Sequence, residues 1–214
     1  MFFKKKYSKE NYKTPSSEIN EKNLFFFSKI LKDLEYFVSF GTLLGIVRDN
    51  NLIEGDDDID FYVNIKDREK LINLLTQNNV KIDFELKINK GKYFLQIKRL
   101  INNDVTIADF YFYESDIEIN HIIERWNFDG RTQDESTYLR IPKIFIYPIK
   151  KIKFKNNELT IPAEPKLLCE LLYGKSWQEK KQKDKDYSIK VINGKATQFK
   201  NKKFLFFNYK VLTN

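Results

Sequence analysis

The order of its helix and strand patterns predicts that this chain of 214 residues has an α+β fold, with a small mixed β-sheet flanked by helices. Apolar residues recur at helical spacing near the N-terminus, and several short strand-like runs follow further along the chain. Hydrophobic residues make up 42% of the chain and aromatic residues 15%, which is enough for one packed core. Only seven glycines and five prolines are present, which disfavours repeats and linkers, so we expect one main domain.

The first half of the chain is predicted to alternate helices with strands. The elements expected there are a helix over 18–36 with Ser16 or Ser17 as its N-cap and Leu24, Phe27, Leu31 and Leu34 on its apolar face, a short strand over 37–40, a helix over 42–48, a strand over 58–63 and a helix over 67–75.

The second half is predicted to contain mostly strands, with one further helix. The elements expected there are strands near 81–87, 92–99 and 104–113 with a turn at Asn102-Asn103, a strand-like run after 141 with a hairpin turn at Asn156-Asn157, a helix from Pro165 to Gly174, and strands Tyr187–Val191 and Phe204–Val211 around a turn at Gly194.

Two aspartates open the strand that follows the second helix. Asp58 and Asp60 are two residues apart, and side chains at this spacing on a strand point to the same side, whereas Ile59 and Phe61 face the core. The turn at Gly41-Thr42 begins a helix, and the N–H groups at a helix N-terminus attract anions. Two carboxylates beside such a terminus suit a hard divalent cation together with a phosphate, which indicates phosphoryl or nucleotidyl transfer. An acidic turn in solvent is the alternative.

These residues belong to a longer series of segments. GTLLGIVR at 41–48 precedes DDDID at 56–60, and the later segments Ile107–Tyr113, Pro142–Phe154 and Ile161–Gly174 follow in order. Over residues of about 34–177, the series resembles the LicD and fukutin-related group of the polymerase-β-like nucleotidyltransferase superfamily, which implies the nucleotidyltransferase fold. The family often has Pro-Trp before its acids. Glu54-Gly55 stands there in this chain, so the aromatic wall expected at that place is missing.

Three carboxylates are the predicted catalytic residues. Phosphoryl transfer needs positioning and charge neutralisation, usually with Mg²⁺, so we predict Asp58 and Asp60 to be ligands of Mg²⁺ (or Mn²⁺). Asp109 lies on a strand between Ala108 and Phe110, where an acid is costly unless it is paired or bound to a metal. We predict Asp109 to be the third carboxylate, which either completes a two-metal site or acts as base towards an acceptor hydroxyl. An acid at a strand edge facing water is its alternative.

The donor phosphates are predicted to lie against the turn before the second helix. Thr42 and the backbone amides that follow Gly41 would hold them, because a Cβ at Gly41 would obstruct their approach. Arg48 either binds a phosphate oxygen or forms an ion pair with one of the aspartates. Of Lys98 and Arg99, which lie on one strand, only one can face the site, and we assign Lys98 to the pyrophosphate.

Weaker candidates surround these residues. Asp56 and Asp57 are expected to help orient the site. Tyr173 and Trp177 are candidate walls for a base or a sugar, with burial at a helix end as the alternative. Cys169, the single cysteine, falls in an apolar periodicity and is predicted to be a buried thiol.

The resemblance implies a metal-dependent transferase. Such an enzyme moves a phospho-substituted group, such as phosphocholine or an alditol phosphate, from a CDP-linked donor to a hydroxyl of a glycan or lipid-linked glycan in cell-surface polysaccharide biosynthesis. The alternative is a nucleotidyltransferase that places an NMP on a small molecule or protein, because the same carboxylates can activate either phosphorus. A non-catalytic nucleic-acid-binding protein on this fold is a second alternative. It is disfavoured because all three carboxylates are present and no RNA-recognition aromatic motif is seen.

Charge divides the chain into a basic N-terminal segment (1–17), a catalytic domain (18–177) and a basic C-terminal extension (178–214) packed on the same domain. Residues 175–214 contain eleven lysines and three acidic residues. The excess of eight positive charges equals the net charge of the whole chain, +8. This surface suits a polyanionic glycan or a membrane surface, and a solvated surface is the alternative. No apolar run approaches about 18 residues, and the N-terminus lacks the apolar core of a signal peptide. We therefore expect a cytoplasmic protein, with peripheral contact at the inner membrane face left open.

Overall fold

The computed structural model of the protein describes residues 15–82, 84–85, 93–102, 104–118, 120–124, 139–180, 189–192 and 195–198. The helices are α1 (Ser17–Ile30), α2 (Phe40–Asp49), α3 (Arg68–Gln77), α4 (Lys143–Ile146) and α5 (Pro165–Tyr173), and a 3₁₀ turn (Ile65–Asp67) precedes α3. The strands are β1 (Tyr36–Val38), β2 (Asp58–Asn64), β3 (Phe84–Glu85), β4 (Phe94–Ile101), β5 (Asp104–Asp116), β6 (His121–Glu124), β7 (Leu139–Pro142), β8 (Lys150–Phe154), β9 (Asn157–Ile161), β10 (Ile189–Ile192) and β11 (Lys195–Gln198).

Seven strands form one mixed sheet, as the α+β prediction requires. Five of them lie in the order β1-β2-β5-β4-β3, and the end of β5 continues through β6 to β7. The pair β2 and β5 is parallel, and the other pairs in this sheet are antiparallel. Two hairpins, β8-β9 and β10-β11, form separate two-stranded sheets. The parallel pair at the centre of the sheet is the feature that assembles the site.

The first helix covers one face of the sheet. Ser16 caps it, because the Ser16 Oγ accepts a hydrogen bond of 3.4 Å from the Ile19 N–H. Phe27 packs edge-on against both Phe61 and Phe110, which are themselves stacked at 5.3 Å. The apolar spacing predicted that the helix ends at residue 36, but it ends at Ile30. Leu31 and Leu34 continue that spacing and are buried, but from a turn that leads into β1.

Other boundaries differ by small amounts. The hairpin between β8 and β9 turns at Lys155-Asn156, one residue earlier than predicted, with Lys155 in the left-handed region at φ 52°. The run predicted to be strand-like after 141 contains the short helix α4. The strand predicted at Tyr187–Val191 overlaps β10, whereas residues 1–14 and the strand predicted at Phe204–Val211 lie outside the described residues. None of the helices in the described part of the chain is both long enough and apolar enough to span a bilayer.

Candidate active site

Three aspartates converge on the sheet face opposite α1. Asp60 on β2 lies directly beside Asp109 on β5 in the parallel register, and Asp58 is two residues before Asp60 on the same face. One carboxylate oxygen from each of the three lies within 4.8 Å of the others. Asp60 and Asp109 are buried, with 5% and 6% exposure, whereas Asp58 is half-buried. We call Asp58, Asp60 and Asp109 the carboxylate cluster. The structure therefore brings together the three residues that the sequence singled out.

The start of α2 is held against Asp60. The Ser39 N–H donates a hydrogen bond of 3.0 Å to the Asp60 carbonyl, and the Thr42 Oγ1 accepts one of 2.8 Å from the Asp60 N–H. Thr42 is almost completely buried. Its hydroxyl thus anchors the helix start to β2, a contact that the sequence did not predict. Its predicted contact with donor phosphates stays a prediction.

Gly41, in the first turn of α2, faces the loop of residues 50–57. We call this loop the acidic loop, because it ends in Asp56 and Asp57. A Cβ at this position would lie 2.6 Å from the Asp56 Oδ2 and 3.7 Å from the Asp60 Oδ2. The close neighbours of Gly41 are thus carboxylates. Asp56, Asp57 and Asp58 also form a group whose oxygens lie within 4.8 Å of one another, so Asp56 lies closer to the cluster than a purely supporting role would require.

Two residues that the sequence analysis overlooked hold Asp109. The Gln96 Nε2 donates a hydrogen bond of 2.9 Å to the Asp109 Oδ1, and the Tyr111 hydroxyl lies 3.5 Å from the Asp109 Oδ2. Gln96 is directly opposite Asp109 in the antiparallel pair of β4 and β5. The available signal was the predicted turn at Asn102-Asn103, which pairs Ile101 with Asp104 and therefore sets Gln96 opposite Asp109.

Like charges and burial make the cluster electrostatically costly without a cation. Burial, followed by the charges of Asp58, Asp109 and Asp56, raises the pKa of Asp60 well above its usual range. Burial raises the pKa of Asp109 to about 7, although hydrogen bonds from Gln96 and Tyr111 oppose that rise. A divalent cation would offset this repulsion, and three carboxylate oxygens are the hard ligands that Mg²⁺ and Mn²⁺ prefer. The residues present therefore fit the predicted metal.

We expect the stability of the metal-free protein to fall as the pH rises. Folded Asp109 keeps its proton up to about pH 7, whereas an aspartate in the unfolded chain loses it near about pH 3.9. Between these values the folded state binds more protons, so the free energy of unfolding decreases by up to about 1.4 kcal/mol per pH unit for each such group. Asp109→Asn should remove part of this dependence. Thermal melting in EDTA at a series of pH values measures it, and identical pH slopes for the variant and the wild type would contradict the expectation.

The two side chains predicted to bind phosphate, Lys98 and Arg48, differ in their surroundings. Lys98 shares the cluster's sheet face with Gln96, whereas the Arg99 guanidinium turns to α1, 3.5 Å from the centre of the Phe26 ring. The choice of Lys98 over Arg99 thus agrees with the register. For Arg48 the structure gives the alternative, an ion pair, because its Nη2 lies 2.8 Å from the Asp49 Oδ2. That partner is the neighbouring residue on α2 rather than one of the clustered aspartates.

A buried polar network ties α1 to the acidic loop. The Asn20 side chain donates a hydrogen bond of 2.9 Å to the Asp56 carbonyl and accepts one of 2.6 Å from the Thr106 hydroxyl. Asn23 donates to the same hydroxyl at 3.1 Å and accepts from Arg99 at 2.9 Å. The network connects the loop before Asp58 to β5, the strand that carries Asp109. It therefore holds these two segments in place relative to each other. Asn20, Asn23 and Thr106 were not singled out by the sequence analysis, whereas Arg99 was considered there as a phosphate ligand.

The aromatic residues at the end of α5 have different positions. Trp177 is buried, with 6% exposure. Tyr173 is half-buried, and burial followed by the charges of Asp60, Cys169, Asp56 and Asp58 raises the pKa of its hydroxyl. Cys169 is fully buried, as predicted, and burial raises the pKa of its thiol to about 12.

Comparison with known proteins finds relatives whose sequences align with more than two thirds of this chain. Over 155 residues the chain is 30% identical to the ribitol-5-phosphate transferase FKTN of Mus musculus. This alignment covers 71% of this chain and 31% of that protein. The chain is 27% identical over 157 residues to an uncharacterized protein of Rickettsia typhi, covering 69% of this chain and 45% of that protein. The chain thus spans between about a third and a half of the length of these relatives.

Two solved structures share a weaker similarity of backbone. The lincosamide antibiotic adenylyltransferase LnuA, bound to lincomycin, superposes with a TM-score of 0.48 at 14% identity, over 69% of this chain and 84% of its own. ANT(2")-Ia in complex with adenylyl-2"-tobramycin gives a TM-score of 0.41 at 11% identity, over 69% of this chain and 70% of its own.

A family model decides the relationship. Residues 33–164 match the model described as LicD/FKTN/FKRP, nucleotidyltransferase domain. This match includes α2, the acidic loop, all three residues of the carboxylate cluster and the strands that carry them. The chain therefore belongs to the LicD/FKTN/FKRP nucleotidyltransferase-domain family.

Proposed function

We propose that this protein transfers a phospho-substituted group, such as an alditol phosphate, from a CDP-linked donor to a hydroxyl of a glycan. The observation that carries the proposal is the convergence of Asp58, Asp60 and Asp109 beside the N-terminus of α2 in a member of this family. The FKTN relative is a ribitol-5-phosphate transferase, which supports an alditol phosphate as the group moved. Glycan modification in cell-surface polysaccharide biosynthesis is the proposed setting.

The proposed reaction exchanges the phosphoanhydride bond of the donor for a phosphodiester bond to the glycan. The acceptor hydroxyl oxygen forms a bond to the phosphorus that carries the alditol or choline. The bond from that phosphorus to the oxygen bridging the two phosphates breaks, and CMP leaves with the bridging oxygen and its electron pair. The hydroxyl proton is released to a base or to solvent. The product is a phosphodiester on the glycan, and no oxidant or reductant is required.

The carboxylate cluster is proposed to hold Mg²⁺ or Mn²⁺. Asp58, Asp60 and Asp109 would supply the oxygen ligands, and Gln96 would fix the orientation of the Asp109 carboxylate. A divalent cation bound there neutralises the charge of the donor phosphates during transfer. The polar network from Asn20 holds the loop before Asp58, so the ligands are positioned before substrate binds.

The donor phosphates are proposed to lie between α2 and β4. The start of α2 lies beside the cluster, because the Asp60 N–H donates to the Thr42 Oγ1 and the Ser39 N–H donates to the Asp60 carbonyl. Lys98 lies on the same sheet face, two residues after Gln96. These groups supply positive potential on both sides of the carboxylates, where a pyrophosphate would otherwise be repelled by the acids.

The donor class is tested by ligand-dependent thermal stability. With Mg²⁺ present, a CDP-linked alditol or choline is expected to raise the melting temperature, because a ligand at about 100 times its Kd adds about 2.7 kcal/mol to the free energy of unfolding. ATP should protect poorly. Incubation with a panel of CDP-linked donors and detection of CMP by mass spectrometry then reports turnover. Stronger protection by ATP, together with a nucleoside monophosphate joined to an acceptor, would contradict this proposal and identify a nucleotidyltransferase.

A further inference from the structure

An aromatic surface adjoins the carboxylate cluster. The rings of Phe40 and Tyr111 lie 4.7 Å apart between centroids, and both residues are half-buried. Behind them the Tyr62 ring lies 5.3 Å from Phe40, and the Phe94 ring lies 5.2 Å from Tyr111. Tyr62 and Phe94 are buried. We call Phe40 and Tyr111 the aromatic platform, because they form the accessible layer of this group and the other two rings support them.

The backbone at Phe40 is held in an uncommon conformation. Its φ is 42°, in the left-handed region that bulky aromatic residues rarely adopt. The chain is held on both sides of Phe40, since the Ser39 N–H donates to the Asp60 carbonyl and the Thr42 Oγ1 accepts from the Asp60 N–H. Such a conformation persists only where the surroundings impose it, and it is concentrated at ligand-binding places in proteins. Here it directs an aromatic ring to the sheet face that carries the acids.

The platform is continuous with the cluster. The Tyr111 hydroxyl lies 3.5 Å from the Asp109 Oδ2, so the Tyr111 side chain is in direct contact with the carboxylate cluster. Phe40 immediately precedes Gly41 and Thr42, the residues at the helix start where donor phosphates are proposed to bind. A molecule with phosphates at the cluster therefore has two half-buried aromatic rings within reach of the group next to those phosphates.

We infer that Phe40 and Tyr111 bind the nucleobase of the donor by aromatic stacking. The inference rests on the proposed function, since it names the part of the donor that each region holds. A nucleobase is planar, and its apolar faces stack on aromatic side chains whatever the base. The phosphates are anionic and suit the helix start and a cation held by the acids, whereas the ribose is rich in hydroxyl groups and suits polar side chains.

The test compares the affinity of CDP with that of pyrophosphate, which lacks the base. Both are titrated calorimetrically into the protein with Mg²⁺. Phe40→Leu is expected to weaken CDP binding by about 5- to 150-fold, the range that base–aromatic stacking contributes, and to leave pyrophosphate binding unchanged. Phe40→Tyr, which keeps a ring, should bind CDP as the wild type does. Phe26→Leu is the matched control, since Phe26 is also half-buried but contacts Arg99 on α1's side of the sheet.

A second measurement uses the unaltered protein. In saturation-transfer NMR with CDP and Mg²⁺, the cytosine protons should receive more saturation than the ribose protons, because the rings contact the base. Equal CDP affinity in Phe40→Leu and Phe26→Leu would overturn the inference, as would an equal loss of CDP and pyrophosphate binding. A raised KM for the glycan acceptor with unchanged CDP affinity would overturn it too, and would assign the platform to the acceptor. If the wild type binds neither CDP nor pyrophosphate, the proposed function itself fails and the inference fails with it.

Discussion

Replacing Asp58 or Asp60 by asparagine is expected to abolish turnover and to leave the fold intact. Each substitution removes the negative charge of one converging carboxylate and keeps the shape of the side chain. The loss should be at least about 10²- to 10³-fold in kcat, as for other groups that stabilise charge in the transition state. CMP release from the CDP-linked donor measures turnover, and circular dichroism confirms the fold. Asp33→Asn, at an exposed aspartate in the turn after α1, is the control.

The same variants should also change stability in a direction that depends on metal. The three carboxylates repel one another when no cation is bound, and the charges of Asp58 and Asp109 contribute to the raised pKa of Asp60. The double variant Asp58→Asn/Asp60→Asn is therefore expected to melt slightly higher than the wild type in EDTA, and to gain nothing from Mg²⁺. Full turnover in EDTA, or full turnover in either single variant, would show that these carboxylates do not act through a metal.

The second large effect is expected on stability, from Gly45→Ala. A Cβ on Gly45 would lie 2.6 Å from the Asn51 carbonyl oxygen and 3.0 Å from the Ile53 nitrogen. Both are backbone atoms of the loop that follows α2, so the helix or the loop must shift. We expect a cost of about 1–3 kcal/mol and a fall in melting temperature of roughly 2–10 °C.

Gly41→Ala provides the comparison within the same helix. Its Cβ would meet the Asp56 Oδ2 at 2.6 Å, and that atom lies at the end of a side chain that can rotate away. Gly41→Ala should therefore lose less stability than Gly45→Ala, but more activity relative to its stability, because Asp56 lies next to the cluster. Equal melting temperatures for the wild type and Gly45→Ala would contradict the packing seen between α2 and its loop.

Local periodicity predicted the part of the site that lies within one strand. The two-residue spacing of Asp58 and Asp60 fixes their common face, and the observed burial of Ile59 and Phe61 on the other face agrees. Asp109 was predicted from the cost of an acid among apolar neighbours together with the family resemblance. Its position beside Asp60 comes from the parallel pairing of β2 with β5, which sequence spacing alone does not determine.

The two supporting residues differ in how far the sequence could have predicted them. Asn20 reaches the acidic loop from a helix 36 residues earlier, which no local pattern indicates. Gln96 lies opposite Asp109 in the hairpin of β4 and β5, so the predicted turn at Asn102-Asn103 could have identified it. Apolar spacing also failed to locate the end of α1, since a buried turn can carry Leu31 and Leu34 as well as a helix can. An ion pair of Arg48 with one of the site aspartates was one of two alternatives that chemistry left open, but the observed partner is its neighbour Asp49.

A titration of Mn²⁺ followed by electron paramagnetic resonance tests most directly whether the carboxylate cluster holds a catalytic cation. In the presence of CDP, the wild type is expected to bind Mn²⁺, and the signal of free Mn²⁺ should fall accordingly. Asp58→Asn, Asp60→Asn and Asp109→Asn should each weaken that binding, by about tenfold or more for a lost charged ligand. Mn²⁺ binding that is equally strong in the wild type and all three variants would contradict a metal site formed by Asp58, Asp60 and Asp109.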